Sequence, residues 1–227
     1  MKAEDPMTTE IPAPRSRTDA LACSLAQEAG AAAPQRPPSF AVALPAAAAA
    51  AIMAAFGVVV ALVGPRPDFP SIIGEWIYIF KAAAMLLLAG GSYALVRAAA
   101  IPGRSVKPAL ALAPAALFLL VNALADRSGL PLSGVRPPLS VPLCVGMIVV
   151  ASLPALALFL AAMRRGAPTR LRRAGFFAGL LAGATGALGY TAACVNDGAA
   201  FVAVWYVAAA LIVAGIGAAA GPRSLAW

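Results

Sequence analysis

The chain has 227 residues, 62% of them hydrophobic and 11% charged, with a mean hydropathy of +0.86 and a net charge of +8. Soluble domains carry roughly 25% charged residues, so a water-soluble fold of this length would lack the polar surface to cover its core. The apolar residues also come in long uninterrupted runs, as in helices solvated by lipid, and one membrane domain with a short soluble head fits the length. Basic residues lie in loops between those runs, which is the orientation signal of a membrane protein. No basic–aromatic stripe suits single-stranded nucleic acid, so no direct nucleic-acid binding is expected.

Residues 1–39 form a segment rich in Pro, Ala, Arg and acidic side chains, expected to be largely flexible. Within it, residues 18–29 (TDALACSLAQEA) predict a short amphipathic helix, capped by Thr18 or Asp19 and ended by Gly30 and Pro34. Leu21, Ala22, Leu25, Ala26 and Ala29 share its apolar face, and Cys23, Ser24, Gln27 and Glu28 the polar one. A helix this short is marginal alone and is expected to order on a partner. Membrane-surface helices carry Lys or Arg on the polar face, whereas this one carries acid, which favours a protein partner over the bilayer surface. No cleavable signal peptide is visible, because the first forty residues lack an apolar h-region. The first apolar run is therefore expected to act as anchor and targeting signal.

Six apolar spans follow: 40–63, 76–96, 109–125, 141–163, 174–194 and 199–220, leaving 221–227 as a tail. The third is the shortest and carries Pro114. The predicted fold is an all-α, six-span transmembrane bundle (40–220) behind a short cytoplasmic N-terminal segment (1–39). With both termini on one side, that side holds thirteen Lys and Arg, clustered in the N-terminal segment, at 97–107 and at 164–173, and the other side holds Arg66, Arg127 and Arg136. This bias places both termini in the cytoplasm of a bacterial inner membrane.

Cys144 falls about 5 Å along its helix from the outer end, and Cys194 closes the outer end of the next span. The two thiols are thus expected at one membrane level, open to a disulfide, a shared metal ion or oxidant sensing, or to packing as small apolar residues. Asp197 and Asn196 lie in the same outer loop and could add oxygen ligands to a transient metal ion. Cys23, on the polar face of its helix, is expected to be incidental. Lys81 is the single charge clearly inside a span. Its long stem can snorkel to the interface or pair with Glu75 or Asp68, and an intramembrane charge can also carry a signal. Gly175, Gly179 and Gly183 form a small-residue stripe for close helix packing, or a sliding interface.

Histidine is absent, which removes the commonest general base and metal ligand. No Ser/His/Asp group, HExxH, P-loop or paired intramembrane carboxylates occur, so neither an enzyme nor a resident cofactor is expected. One functional class open to such a bundle is a small six-span transporter or channel subunit. Against it, the spans lack intramembrane acids and discontinuous polar segments.

The C-terminal half carries a resemblance. Cys144 opens CVGMIVVASLPALALFLAAMRRGAPTR, with Ser152, Pro154 and Arg164–Thr169 in it; then come AGLLAGATGALGY, Cys194, FVAVWY (Phe201–Tyr206) and GPR (Gly221–Arg223). RPDF (Arg66–Phe69) and the Trp76…Lys81 placement also fit, so the likeness spans roughly residues 18–227. The sequence resembles the NrsF family of transmembrane anti-sigma factors, which hold extracytoplasmic-function (ECF) sigma factors inactive. The resemblance implies that the N-terminal segment, with Leu21, Leu25 and Ala29, binds the sigma factor. It further implies that Cys144 and Cys194 are a periplasmic-side sensing pair for metal or oxidative stress. The family pattern often has His before the second cysteine; here that place is Ala193. A metal site would then rest on thiolates and oxygen ligands, which raises the weight of disulfide or direct thiol chemistry.

Overall fold

The computed structural model describes residues 16–31, 39–104 and 106–226. The chain divides into two compact units, residues 1–38 and 39–227.

The first unit contains α1 (Arg17–Ala31). Its cap is Ser16, whose hydroxyl accepts the Asp19 N–H at 3.2 Å. Thr18 and Asp19, expected as caps, therefore lie in the first turn, where the Asp19 carboxylate suits the exposed amides. The helix also runs through Gly30 rather than stopping before it. Leu21 and Leu25 are 60% and 55% exposed.

The second unit is helical throughout its ordered elements: α2 (Phe40–Leu62), α3 (Phe69–Ile72), α4 (Trp76–Ala100), α5 (Pro108–Leu124), α6 (Ser140–Met163), α7 (Leu171–Tyr190) and α8 (Ala199–Ser224). α8 contains a π-helical turn at Val202–Tyr206. Four helices, α2, α4, α6 and α8, are long and apolar enough to cross a membrane, at 23 to 26 residues each. α5 has 17 residues and continues through Pro114. α7 has 20 residues but is rich in Gly and starts with Arg172 and Arg173, which lowers its hydropathy.

The reason lies in the packing. α7 is the central helix, touching α2, α4, α6 and α8, with 15 of its 20 residues buried. Its surroundings are protein rather than lipid, so it needs smallness more than hydropathy. α2 shows the opposite pattern: only Leu44, Ala47, Ala51, Ala55 and Val59 are buried, one narrow stripe at helical spacing, and the rest of its apolar surface is partly or fully exposed.

Glycine permits the close approaches. A Cβ on Gly183 would stand 2.6 Å from Ala210 Cα, and one on Gly179 would stand 2.7 Å from Ala214 Cα. Gly175 meets Gly217 and Gly221 in the same way. The falling partner numbers make α7 and α8 antiparallel along the whole stripe.

Several boundaries differ from the sequence expectation: α4 runs to Ala100 rather than 96, and two further differences bear on the site. The fifth apolar run begins its helix at Leu171 and ends at Tyr190, so Cys194 sits in the following loop rather than on the helix. The last run stays helical to Ser224, so Gly221–Arg223 belongs to α8 and not to a tail. At one end of the bundle, the Ala167 N–H donates to Ala100 O at 2.9 Å and Arg164 Nε donates to Ser224 O at 2.6 Å, joining the ends of α4, α6 and α8. The other end carries the thiols.

Candidate functional site: two buried thiols beneath an ion cluster

The thiol end is assembled from loops that close over the bundle. After α2, Gly64 adopts φ +79°, a left-handed turn open to glycine at little cost. The turn redirects the chain so that the Arg66 N–H donates to Ala192 O at 3.0 Å. In the loop before α6, Gly134 has φ +80°, and a Cβ there would lie 2.7 Å from Asn196 Oδ1. That oxygen accepts the Val135 N–H at 2.9 Å, which ties this loop to the one bearing Cys194. Asp126, beyond α5, accepts the Ala200 N–H at 2.9 Å at the start of α8. The indole of Trp205 donates to Leu132 O at 2.8 Å.

Cys144, one turn into α6, is 0% exposed, and Cys194 is 1% exposed. Both are free thiols in one apolar cluster with Phe80, Tyr190, Phe201 and Tyr206. The two thiols are near enough to interact electrostatically. The two residues expected at one membrane level are therefore side by side, from α6 and from the loop after α7. The Tyr190 and Tyr206 rings lie 6.2 Å apart, centroid to centroid, beside them. Tyr206, delivered by the π-helical turn, is fully buried, and its hydroxyl makes no hydrogen bond of ordinary geometry. The Cys194 thiol is nonetheless near enough to interact with it electrostatically.

The backbone of Cys194 is held by two cations. Arg66 Nη1 donates to Cys194 O at 3.1 Å, and Lys81 Nζ donates to the same oxygen at 3.3 Å. Both cations also meet Asp197. Lys81 Nζ donates to Asp197 Oδ1 at 2.6 Å, and Arg66 reaches both carboxylate oxygens at 3.0 to 3.3 Å. Asp68 accepts from Arg66 Nε at 2.6 Å and Nη2 at 2.8 Å. Two cations and two carboxylates thus close a neutral cluster that joins the α2–α3 loop, α4 and the loop after α7. The Arg66 guanidinium holds the Asp68 carboxyl below the usual carboxylate range, and Asp68 and Asp197 in turn raise the affinity of Arg66 for its proton. Asp126 is lowered as well, chiefly by the Ala200 amide.

Lys81 is 1% exposed. It does not snorkel, and its carboxylate partner is Asp197 rather than Glu75 or Asp68. A buried ammonium needs a counter-charge within reach, and a loop 116 residues away supplies it. Asp197, expected beside the thiols as an oxygen ligand, has both carboxylate oxygens engaged by Arg66 and Lys81. Among the described residues no group of three or more His, Cys, Asp or Glu comes together. Leu21 and Leu25 belong to the other unit, and the side chain of Ala29 lies outside those described. Gly175, Gly179 and Gly183 all face α8.

Sequence reasoning missed Asp197 as the counter-charge of Lys81, Arg66 as the second cation on that carboxylate, and Tyr206 as a neighbour of the thiols. A signal was present: residues 39–227 hold only four carboxylates, so few candidates existed to neutralise a buried lysine.

A family model described as "Negative regulator of sigma F" (NrsF) matches residues 25–227. A probable anti-sigma-F factor NrsF of Azospira oryzae is 34% identical over 221 residues, covering 93% of this chain and all of that protein. An anti-sigma-F factor NrsF of Caulobacter vibrioides is 42% identical over 84 residues, 37% of this chain and 39% of that protein. No solved structure matches the chain. On both grounds, the near-complete family match and the full-length relative, the chain belongs to the NrsF family, a family of anti-sigma regulators.

Proposed function

We propose that this chain is a six-span anti-sigma factor of the bacterial inner membrane, with both termini in the cytoplasm, that releases an ECF sigma factor when Cys144 and Cys194 are modified. The observation that carries the reading is the pair of free, buried thiols side by side, with the carbonyl of one gripped by Arg66 and Lys81. The amphipathic α1 is the docking segment. Its exposed leucines offer roughly 1.5–3 kcal/mol each on burial against a partner.

Two stimuli fit the pair. An oxidant that accepts two electrons and two protons converts the two thiols into a disulfide. A thiophilic metal ion instead displaces both protons and bridges the sulfurs. A disulfide requires the sulfurs at about 2.05 Å, so the start of α6 and the loop after α7 must close on each other. That loop is bound through Cys194 O and Asp197 to the ends of α2 and α4, and the motion therefore reaches those helices. The glycine seam between α7 and α8 lets them shift without side-chain clashes. Moving the population from nearly all repressing to nearly all releasing requires about 5.5 kcal/mol of preference. One thiol alone cannot form the bridge, so Cys144→Ser and Cys194→Ser are expected to act alike and non-additively, each holding the sigma factor with or without stress.

A sigma-dependent reporter, read with and without oxidant or cadmium, tests this in both single variants and the double variant. A normal response in the double variant would leave the cysteines as packing residues. For the docking segment, Leu21→Glu with Leu25→Glu should release sigma activity at unchanged membrane levels of the chain. Persistent repression would move the docking site elsewhere. Co-purification of a sigma factor with the full chain, and its class, decides the ECF assignment.

A further inference from the structure

The two ends of the second unit differ in charge. Between Ser39 and Ala226 the chain has four carboxylates, Asp68, Glu75, Asp126 and Asp197, and all four lie at the thiol end. The opposite end has nine Lys and Arg and no Asp or Glu. At that end a cavity of about 370 Å³ opens between the last turn of α4, the segment before α5 and the first turns of α7. Three arginines line it, Arg104, Arg170 and Arg173, and no carboxylate does. Part of its wall is apolar, formed by Leu95, Val106 and Phe177. The Arg173 guanidinium lies 5.3 Å from the Phe177 ring centroid, so this cation rests against the wall.

We propose that this cavity binds the headgroup of an anionic phospholipid. Guanidinium groups pair with phosphate oxygens through two parallel hydrogen bonds, and three of them converge here on one space. The apolar wall fits the glycerol and first acyl carbons, which a free phosphate lacks. A zwitterionic lipid would bring its choline among the arginines, so the charge selects a net-negative headgroup. Helix ends of this kind lie at the level where headgroups are found, and each Lys or Arg near an anionic surface adds to the attraction. The inference uses the charge and shape of this end alone and is independent of the cysteine reading.

The test uses the full chain in nanodiscs with equal phosphatidylglycerol and phosphatidylcholine, followed by mild detergent extraction and native mass spectrometry of the retained lipid. Wild type should retain phosphatidylglycerol over phosphatidylcholine by about tenfold. The combined Arg104→Gln, Arg170→Gln and Arg173→Gln variant should fall to parity. Arg170→Gln alone should lose several-fold, which keeps the test usable if the triple variant fails to fold. Arg97→Gln, at the same end but outside the cavity, should behave as wild type. Parity in wild type, or an undiminished preference in both the single and the triple variant, would overturn the proposal. The second of these results combined with loss of sigma-factor binding would assign the cavity to an acidic protein segment instead.

Discussion

Replacing Asp197 by Asn isolates the ion cluster. The amide keeps the shape and removes the charge that faces Lys81 and Arg66. Arg66 retains Asp68, but Lys81 is left 1% exposed with neutral acceptors alone, Cys194 O at 3.3 Å and the amide oxygen, and no counter-charge. Removing one partner of a buried pair costs about 3–5 kcal/mol. The Asp197 side chain is 27% exposed, and water screens part of the loss, so about 2–3 kcal/mol is expected here. Lys81→Met in the same chain removes the stranded ammonium while filling its volume, and a buried ion pair exchanged for an apolar side chain is often nearly neutral. The double variant should therefore be more stable than Asp197→Asn alone, with a coupling of about 1–3 kcal/mol. Thermal unfolding in detergent with a thiol-reactive fluorescent dye reads this directly. Cys23 is exposed and reacts at once, whereas Cys144 and Cys194 react only as the bundle opens. An unchanged unfolding midpoint for Asp197→Asn, or additive losses in the double variant, would refute the claim that the cluster holds this end together.

Gly183→Val should loosen the α7–α8 seam by roughly 1–3 kcal/mol or more, because its Cβ would stand 2.6 Å from Ala210 Cα; Gly90→Ala, with nothing within 4 Å, should be neutral or slightly stabilising in the same melt. Asp68 and Asp126 are both held below the ordinary carboxylate range in the folded chain, so the stability they contribute is complete above about pH 4 and is lost as pH falls through their lowered values. The unfolding midpoint should then drop in acid, and Asp126→Asn should lower it at pH 7 and flatten the drop. Alkaline-phosphatase fusions after Arg127 should be active and fusions after Arg173 inactive; the reverse would turn the proposed orientation over and put the thiols on the cytoplasmic side.

The amino-acid sequence by itself determined that the chain folds into apolar helices, roughly where each begins, and which small residues would seam together. Those properties are local: hydropathy, Gly and Pro spacing and charge in loops act within a turn or two of the residue that carries them. The glycine stripe of α7 was legible for this reason, although its partner on α8 was not. The family resemblance also lay in contiguous motifs. Tertiary structure alone decided what Lys81 does. Its neighbours in the chain, Glu75 and Asp68, looked suitable, but the folded loop after α7 puts Asp197 closer, and burial then makes that single pairing the one that counts. The same holds for the thiols. Span lengths suggested a common level for them, but the helix ends at Tyr190, four residues before Cys194, and only the loop's return over the bundle, pinned by Arg66, brought Cys194 into one cluster with Cys144. The environment of Tyr206 depends on the π-helical turn at Val202–Tyr206, where one extra residue per turn rotates the side chain to a direction that a regular helical wheel misplaces.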